Sequence, residues 1–342
     1  MSTSVARYSS VNAKAKNLYG KLLTKHDYDE LLSSKTVRDI AAYLKKNTGY
    51  RTIFSNVDEN LVHRGELEIL LKTSLMDDYV KIMLFLNSNT RKFLKAVFLR
   101  YEIEDLKLLF RVIYTNRESE SVIKSLVFLQ NFSKLDYKRL VTSKNIYENI
   151  AALKESKYYS ALSPFINLTQ NPNLFDIEMS LDLSYFMNII KLKDRLLSGP
   201  DRRSITHSFG TEVDLLNLFM LYRCKMLFKI PEDRIFKYVI PYWYRLSRDQ
   251  LIKLSQISEI EEFKRSLLHT KYAVIFKPDK EHLWEKNSML YVYKLYKRQF
   301  RKDCYNLGGA LAYLRLREMD IKNIITLIEG VRYNLPREKI RN

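Results

Sequence analysis

Helix breakers and reactive side chains are scarce in this 342-residue chain. It holds 7 prolines, 8 glycines and 2 cysteines, and no proline precedes Pro164. Proline removes an amide donor and glycine costs backbone entropy, so long stretches without either favour long helices. Two cysteines exclude a disulfide scaffold. Cys224 and Cys304 lie in helical patterns and read as small hydrophobes in a reducing compartment. No apolar run reaches about 18 residues, so no membrane span is expected. The opening MSTSVARYSS lacks the apolar core of a secretion signal. No G-x-x-x-x-G-K-[ST] or G-x-G-x-x-G loop occurs, and no H-E-x-x-H or C-x-x-C. Gly308-Gly309 follows Leu307 in a helical stretch and reads as a close helix approach. The five histidines, His26, His63, His207, His269 and His282, are isolated. Asp77-Asp78 and Glu261-Glu262 read as solvated helix faces. No metal, cofactor or catalytic residue is therefore expected.

What the chain does have is an internal repeat. Residues 27–53 lie over residues 136–162 without a gap, with nine identities in 27 pairs. Chance gives roughly two. The identities include Asp27/Asp136, Tyr28/Tyr137, Leu31/Leu140, Leu44/Leu153 and Tyr50/Tyr159. A fainter third copy spans residues 248–276, with one residue dropped before Tyr272. A second motif, E-x-[DE]-x-x-[NK]-[LI], begins at Glu102, Glu212 and Glu318, at intervals of 110 and 106 residues. Its members are Glu102, Asp105 and Lys107; Glu212, Asp214 and Asn217; and Glu318, Asp320 and Asn323. Two motifs in the same order, three times each, define units of 1–117, 118–228 and 229–342. Units near 110 residues exceed solenoid repeats of about 20–50 and can each hold a small core. The expectation is an all-α chain of three similar helical subdomains.

Periodicity places helices at 11–25, from Asp27 as N-cap, from Thr36 as N-cap over 37–46, and at 66–86. Residues 91–114 form one helix, or two parted at Glu102. The second copy repeats the long helix at 178–197. There follow a turn at Ser198-Gly199-Pro200-Asp201 and a helix capped by Thr211. Residues 231–241 join the second and third copies, whose last helices span about 283–305 and 309–330. The repeated acids have two readings. In the structural one, Glu102, Glu212 and Glu318 cap or pair at helix starts, and Asn217 and Asn323 bond across to a neighbouring helix. In the functional one they form a repeated ligand site. A threefold signature favours packing.

Net charge is +19 and uneven. The three units hold 20, 14 and 24 basic residues against 13, 12 and 14 acidic ones, that is +7, +2 and +10. Such a surplus points to an anionic partner or to solubility. Arg202, Arg203, Lys294, Lys297, Arg298 and Arg301 are the candidate partner contacts. Residues 291–302, YVYKLYKRQFRK, interleave aromatic and basic side chains, a composition able to stack bases and neutralise phosphates. At helical spacing the same residues make a core stripe with a basic outer face. A basic helical nucleic-acid-binding protein is the alternative function; an enzyme has no constellation to support it.

The ordered motifs resemble one family. They are Tyr8-Ser-Ser-Val-Asn-Ala-Lys-Ala-Lys; Leu22-Leu23; Tyr28-x-x-Leu31-Leu32 leading to Leu44-x-x-x-Thr48-x-Tyr50; Glu104-Asp105-Leu106-Lys107 to Arg111; Glu212-Val-Asp214-x-x-Asn217 to Arg223; Ile230-Pro231-Glu232 through Tyr238-Val-Ile-Pro241; and Glu318-x-Asp320-Ile-x-Asn323-Ile. The chain resembles, over nearly its whole length, the central-stalk connector of archaeal and bacterial V/A-type rotary ATPases. That connector is termed the C subunit there and the d subunit in eukaryotes. Tyr242-Trp243 depart from the glycine usual after the second Ile-Pro, and the eukaryotic N-terminal extension is lacking. The resemblance implies a non-catalytic funnel of three subdomains about a pseudo-threefold axis, without cofactor. Its implied partners are the shaft subunits, the membrane proteolipid ring and anionic lipid headgroups, with no nucleic acid. It implies a peripheral place on the cytoplasmic face, as a monomer within a complex that couples ATP to proton or sodium transport.

Overall fold

The computed structural model describes residues 2–58, 63–115, 120–166 and 173–341. Every regular element among them is helical, so the fold is all-α. After α1 (Ser2–Tyr19), the first copy contributes α2 (Lys25–Ser33), α3 (Val37–Asn47), α4 (Arg64–Met83), α5 (Ser88–Phe98) and α6 (Arg100–Thr115). Short helices α7 (Glu120–Ser125) and α8 (Val127–Asn131) follow. The second copy supplies α9 (Tyr137–Val141), α10 (Ile146–Ala152), α11 (Tyr159–Leu162), α12 (Leu174–Leu196) and α13 (Gly199–Met226). After α14 (Glu232–Ile235), the third has α15 (Arg248–Gln256), α16 (Ile260–Leu267), α17 (Trp284–Lys302) and α18 (Leu307–Arg332), and the short α19 (Arg337–Arg341) follows. Each copy thus runs from a pair of short helices to a long helix and then to a helix carrying the acid motif. The junction expected at 117 and 118 lies outside the described residues.

Capping chemistry starts each short-helix pair. Thr24 accepts from the Asp27 amide while the Asp27 carboxylate accepts from the Thr24 amide at 2.7 Å. Asp27, expected as the N-cap, is therefore the third helical residue of a capping box. Asp136, its match in the second copy, is itself the N-cap and accepts from the Arg139 amide at 3.1 Å. In the third copy Ser247 and Gln250 form the box. Thr36 caps α3 as expected, with Asp39 reaching back to its amide.

Thr211 does not cap a helix. It lies inside the 28-residue α13, its hydroxyl donating to the His207 carbonyl at 2.7 Å. No proline follows Pro200 within α13, and the lone Gly210 does not break the helix, which continues through the threonine. In the first copy the corresponding stretch is broken, at Leu99 between α5 and α6.

Two compact units divide the chain: residues 1–185 with 313–342, and residues 186–312. In the first, Ile103, Leu106, Leu109 and Phe110 of α6 pack with Leu126, Leu129, Leu140, Ile150, Tyr158 and Leu162 in one buried cluster. In the second, Trp284 packs edge-on against Phe276 with ring centres 5.1 Å apart, and Tyr222 of α13 lies 5.2 Å from Trp284. In both, the acid-motif helix of one copy rests on short helices of the copy that follows.

Gly308 sits where an added Cβ would collide with the Ser204 hydroxyl, so the glycine does permit a close helix approach. Gly210, inside α13, is closed off by the Tyr244 ring, 2.5 Å from where a Cβ would stand. Alanine is the better helix former by about 1 kcal/mol, but overpacking costs about 1–3 kcal/mol. Gly210→Ala is therefore expected to lower the urea midpoint, and a higher midpoint would show that Tyr244 yields freely.

Candidate functional site

The repeated acids form three buried junctions. Asp320 on α18 accepts from the Tyr28 and Tyr50 hydroxyls, both at 2.5 Å, and from the Leu23 amide at 3.4 Å. Asp214 on α13 accepts from the Tyr272 hydroxyl at 2.7 Å and the Arg245 amide at 2.8 Å. Glu102 on α6 accepts from the Tyr158 hydroxyl and from Ser133 at 2.5 Å, with the Lys157 ammonium at 3.3 Å. In each case the tyrosine belongs to the next copy of the repeat. The third acid bonds the first tyrosines, 270 and 292 residues away.

Sequence separations show that the junctions are the same construction. The donors Ser133 and Arg245 each lie 31 residues beyond their acid. One turn on from the acid stands a second polar residue. Asp105 accepts from the Phe128 amide, and Asn217 from the Ile240 amide, each 23 residues downstream. Asp105 also takes the Leu129 amide at 3.0 Å, and Asn217 returns a bond to the Ile240 carbonyl at 2.9 Å. Asn323 is weaker, 3.4 Å from the Tyr28 hydroxyl.

This geometry shifts the register read from sequence. The shared motif is [DE]-x-x-[DN]: Glu102 with Asp105, Asp214 with Asn217, Asp320 with Asn323. Residues three apart share a helix face, whereas residues two apart are about 200° apart. Glu104, aligned by pattern with Asp214 and Asp320, points outward and pairs with Arg100 at 3.2 Å. The tyrosines shift too. The backbone amides of Tyr50, Tyr158 and Tyr272 each donate to the hydroxyl two residues back, of Thr48, Ser156 and Thr270. The ungapped match of Tyr50 to Tyr159 is thus one residue out. The signal available in sequence was [ST]-x-Tyr.

The other candidates are scattered. Lys107 pairs with Asp182 of α12 at 2.8 Å. Glu318 lies well inside α18, paired with Arg315 and with Lys322 at 2.8 Å. Burial pushes its carboxyl up, but Arg315, Arg100 and Lys322 outweigh that and hold it well below the usual range. Glu212, half-buried, is also mid-helix. Asp78, expected on a solvated face, is buried. It accepts from the Tyr313 hydroxyl at 2.6 Å, beside Arg317 at 3.4 Å. Arg317 stacks over the Tyr50 ring at 4.2 Å, a link that sequence reading missed because its parts are remote.

Arg202 donates to the Leu197 and Asp194 carbonyls at 2.8 and 2.6 Å, closing the end of α12. Arg203, Lys294, Arg298 and Arg301 are exposed, and Lys297 lies over the Tyr293 ring at 5.4 Å. Tyr296 and Phe300 are buried, and Tyr291 packs edge-on to Tyr272 at 6.1 Å. The aromatics needed for base stacking are largely committed to the core. No group of three metal-ligating side chains occurs among the described residues.

Burial pushes the Asp105 carboxyl up to about 7, against the pull of its two amide donors. Asp214 and Asp320 are also raised by burial, with tyrosine donors opposing. A carboxyl raised in the folded state binds more protons folded than unfolded. Its contribution to stability therefore falls as pH rises from about 4 toward 7. Asp105→Asn, which copies the residue at Asn217, is expected to flatten that part of a pH series of urea melts. An unchanged slope would show that Asp105 ionises freely. Tyr272→Phe keeps the ring but removes a donor from buried Asp214, at a cost of about 1–3 kcal/mol. Tyr50→Phe is expected to cost less, because Tyr28 still donates to Asp320. Equal losses in the two variants would contradict that sharing.

The sequence matches the ATP synthase (C/AC39) subunit family over residues 11–342. It is 24% identical to the C subunit of the A-type ATP synthase of Methanocaldococcus jannaschii, covering 99% of this chain and 86% of that protein. Against the A-type ATP synthase C subunit of Methanosarcina mazei, identity is 25%, over 85% of this chain and 79% of the relative. Against the protein of that name from Methanosphaera stadtmanae it is 21%, over 98% and 86%. With the match spanning all but the first ten residues, the chain belongs to the ATP synthase (C/AC39) subunit family.

Proposed function

We propose that this chain is the non-catalytic connector of a V/A-type rotary ATPase. It joins the rotating central shaft of the soluble head to the membrane proteolipid ring and transmits torque between them. The observation that carries this reading is the match to the ATP synthase (C/AC39) subunit family over residues 11–342. Relatives named as the C subunit of A-type ATP synthases align along nearly the full chain.

The junctions support the mechanical part. A torque-bearing part needs low compliance, and close-packed interiors with satisfied buried polar groups supply it. Each acid helix is tied to the tyrosine of the next copy, and the last is tied to the first. That order suits three related helical subdomains, near 1–117, 118–228 and 229–342, in a funnel about a pseudo-threefold axis. The shaft tip enters the wide end and the base rests on the ring. No described helix is long and apolar enough to cross a membrane, which fits a peripheral place on the cytoplasmic face. The charge of +19 suits acidic shaft surfaces, with anionic headgroups near the ring as a further contact. No cofactor takes part in this role.

Affinity-tagged chain is expected to carry both the proteolipid ring and the soluble head through purification from membranes. Deleting its gene is expected to leave the head detached while head ATP hydrolysis persists. A head that stays on the ring without this chain would overturn the connector role. Binding of the shaft is expected to weaken as salt rises from 0.1 to about 0.5 M, where screening shortens below about 5 Å; salt-independent binding would remove the electrostatic part.

A further inference from the structure

The three long helices α4, α12 and α17 are internal controls for one another, since each precedes the acid helix of its copy. They hold the same place in the repeat, so a surface feature that only one carries is not required by the repeat. α4 and α12 each hold three basic and four acidic residues. α17 holds six basic residues and one acidic. That acid, Glu285, is taken by Arg223 at 2.6 Å. Lys294, Arg298, Arg301 and Lys302 make no ion pair among the described residues.

The same helix exposes apolar surface. Met289 is 68%, Leu290 47% and Tyr293 37% exposed, while Trp284, Val292, Tyr296, Gln299 and Phe300 take the buried face. Met289, Leu290, Tyr293, Lys294, Lys297 and Arg301 follow one another at helical spacing along the outer side. An apolar spot of about one turn therefore runs into two turns of cations.

That layout discriminates among anionic partners. A helix lying in a bilayer surface needs an apolar stripe along its length, and here the apolar part is confined to 289–293. Single-stranded nucleic acid needs several exposed aromatic faces, and only Tyr293 among the α17 aromatics reaches that exposure. A small apolar anchor bordered by charge is the anatomy of a protein interface. We propose that the exposed face of α17 docks an amphipathic, acidic helix of a protein partner. Met289, Leu290 and Tyr293 would pack on its apolar residues, and Lys294, Lys297, Arg298 and Arg301 would face its carboxylates. The proposal deepens the connector reading by naming the chemistry of one partner surface, and rests on that reading only for where the partner resides.

The test uses the purified full chain and four labelled probes. These are a 21-residue helical peptide of Leu and Glu at i, i+3 and i+4 spacing, a scrambled peptide of the same composition, dT20, and phosphatidylcholine vesicles with 30% phosphatidylglycerol. By anisotropy, the ordered peptide is expected to bind about tenfold or more tighter than the scrambled one. Met289→Ser with Leu290→Ser is expected to erase that difference and leave scrambled-peptide binding unchanged. Lys294→Ser, Lys297→Ser, Arg298→Ser and Arg301→Ser together are expected to weaken both peptides about tenfold or more. A charge-matched control, Lys25→Ser, Lys92→Ser, Lys138→Ser and Lys253→Ser, is expected to change neither beyond about twofold. All variants replace exposed side chains apart from half-buried Lys297, and circular dichroism melts check that they fold. Equal binding of ordered and scrambled peptides, equal effects of the α17 and control sets, or an α17-dependent preference for dT20 or vesicles would each overturn the proposal. Failure of the connector reading would show separately, as absence of the wild-type chain from the purified ATPase.

Discussion

A carboxylate taken out of water must be met by donors, and this structure meets Glu102, Asp214 and Asp320 with tyrosine hydroxyls from another copy of the repeat. Leaving such a group unpaired costs far more than the net worth of a single hydrogen bond. Glu102, Asp214 and Asp320 are all buried or nearly so, and each is held by a tyrosine that lies 56, 58 or 270 residues away. Those bonds are geometrically demanding, so they also fix how far each acid helix slides along the short helices it packs against. The apolar cluster joining α6 to Leu140, Ile150, Tyr158 and Leu162 supplies the bulk of the burial. Hydrophobic burial is not directional; the tyrosine bonds give it a register.

One consequence is that no copy is complete by itself. A cut between copies separates an acid from its tyrosine, so the piece that packs is the acid helix of one copy with the short helices of the next. The third acid is held by the first copy, through Tyr28, Tyr50 and Leu23. Arg317 strengthens that link, lying between Asp78 and the Tyr50 ring and donating to Ser74 at 3.1 Å. The chain's two ends are thereby tied without covalent closure.

Much of this was legible in the chain before any coordinates. The scarcity of proline and glycine pointed to helices, and the two motifs revealed the period. The register was not legible. Identities over an ungapped match gave weight to Leu31, Leu44 and the Tyr50/Tyr159 pair, whereas the hydrogen bonds follow [ST]-x-Tyr. α3 runs to Asn47 in the first copy, and its partners α10 and α16 are shorter, so the turn before the tyrosine slips. The acid motif slipped for a different reason. Glu102, Glu104 and Asp105 are all acidic, and only helical phase tells which face inward. Asp78 escaped because its partners Tyr313 and Arg317 are more than 230 residues away, a distance at which local patterning carries no information.

Divergence among the copies then becomes informative. Residues that close the junctions recur in chemistry, as Glu or Asp followed by Asp or Asn, because a buried carboxylate tolerates little change. Outward positions are free of that constraint and drift unless something else holds them. α4 and α12 carry nearly balanced charge, while α17 carries six cations and exposes Met289, Leu290 and Tyr293. Unscreened like charges on one helix face destabilise it by a few tenths of a kcal/mol per pair, and exposed apolar patches invite association. A cationic face that costs stability and is absent from its two internal counterparts is best explained by a contact outside the chain. The threefold repeat therefore serves twice: its shared positions mark what folding requires, and its unequal ones mark where the molecule meets something else.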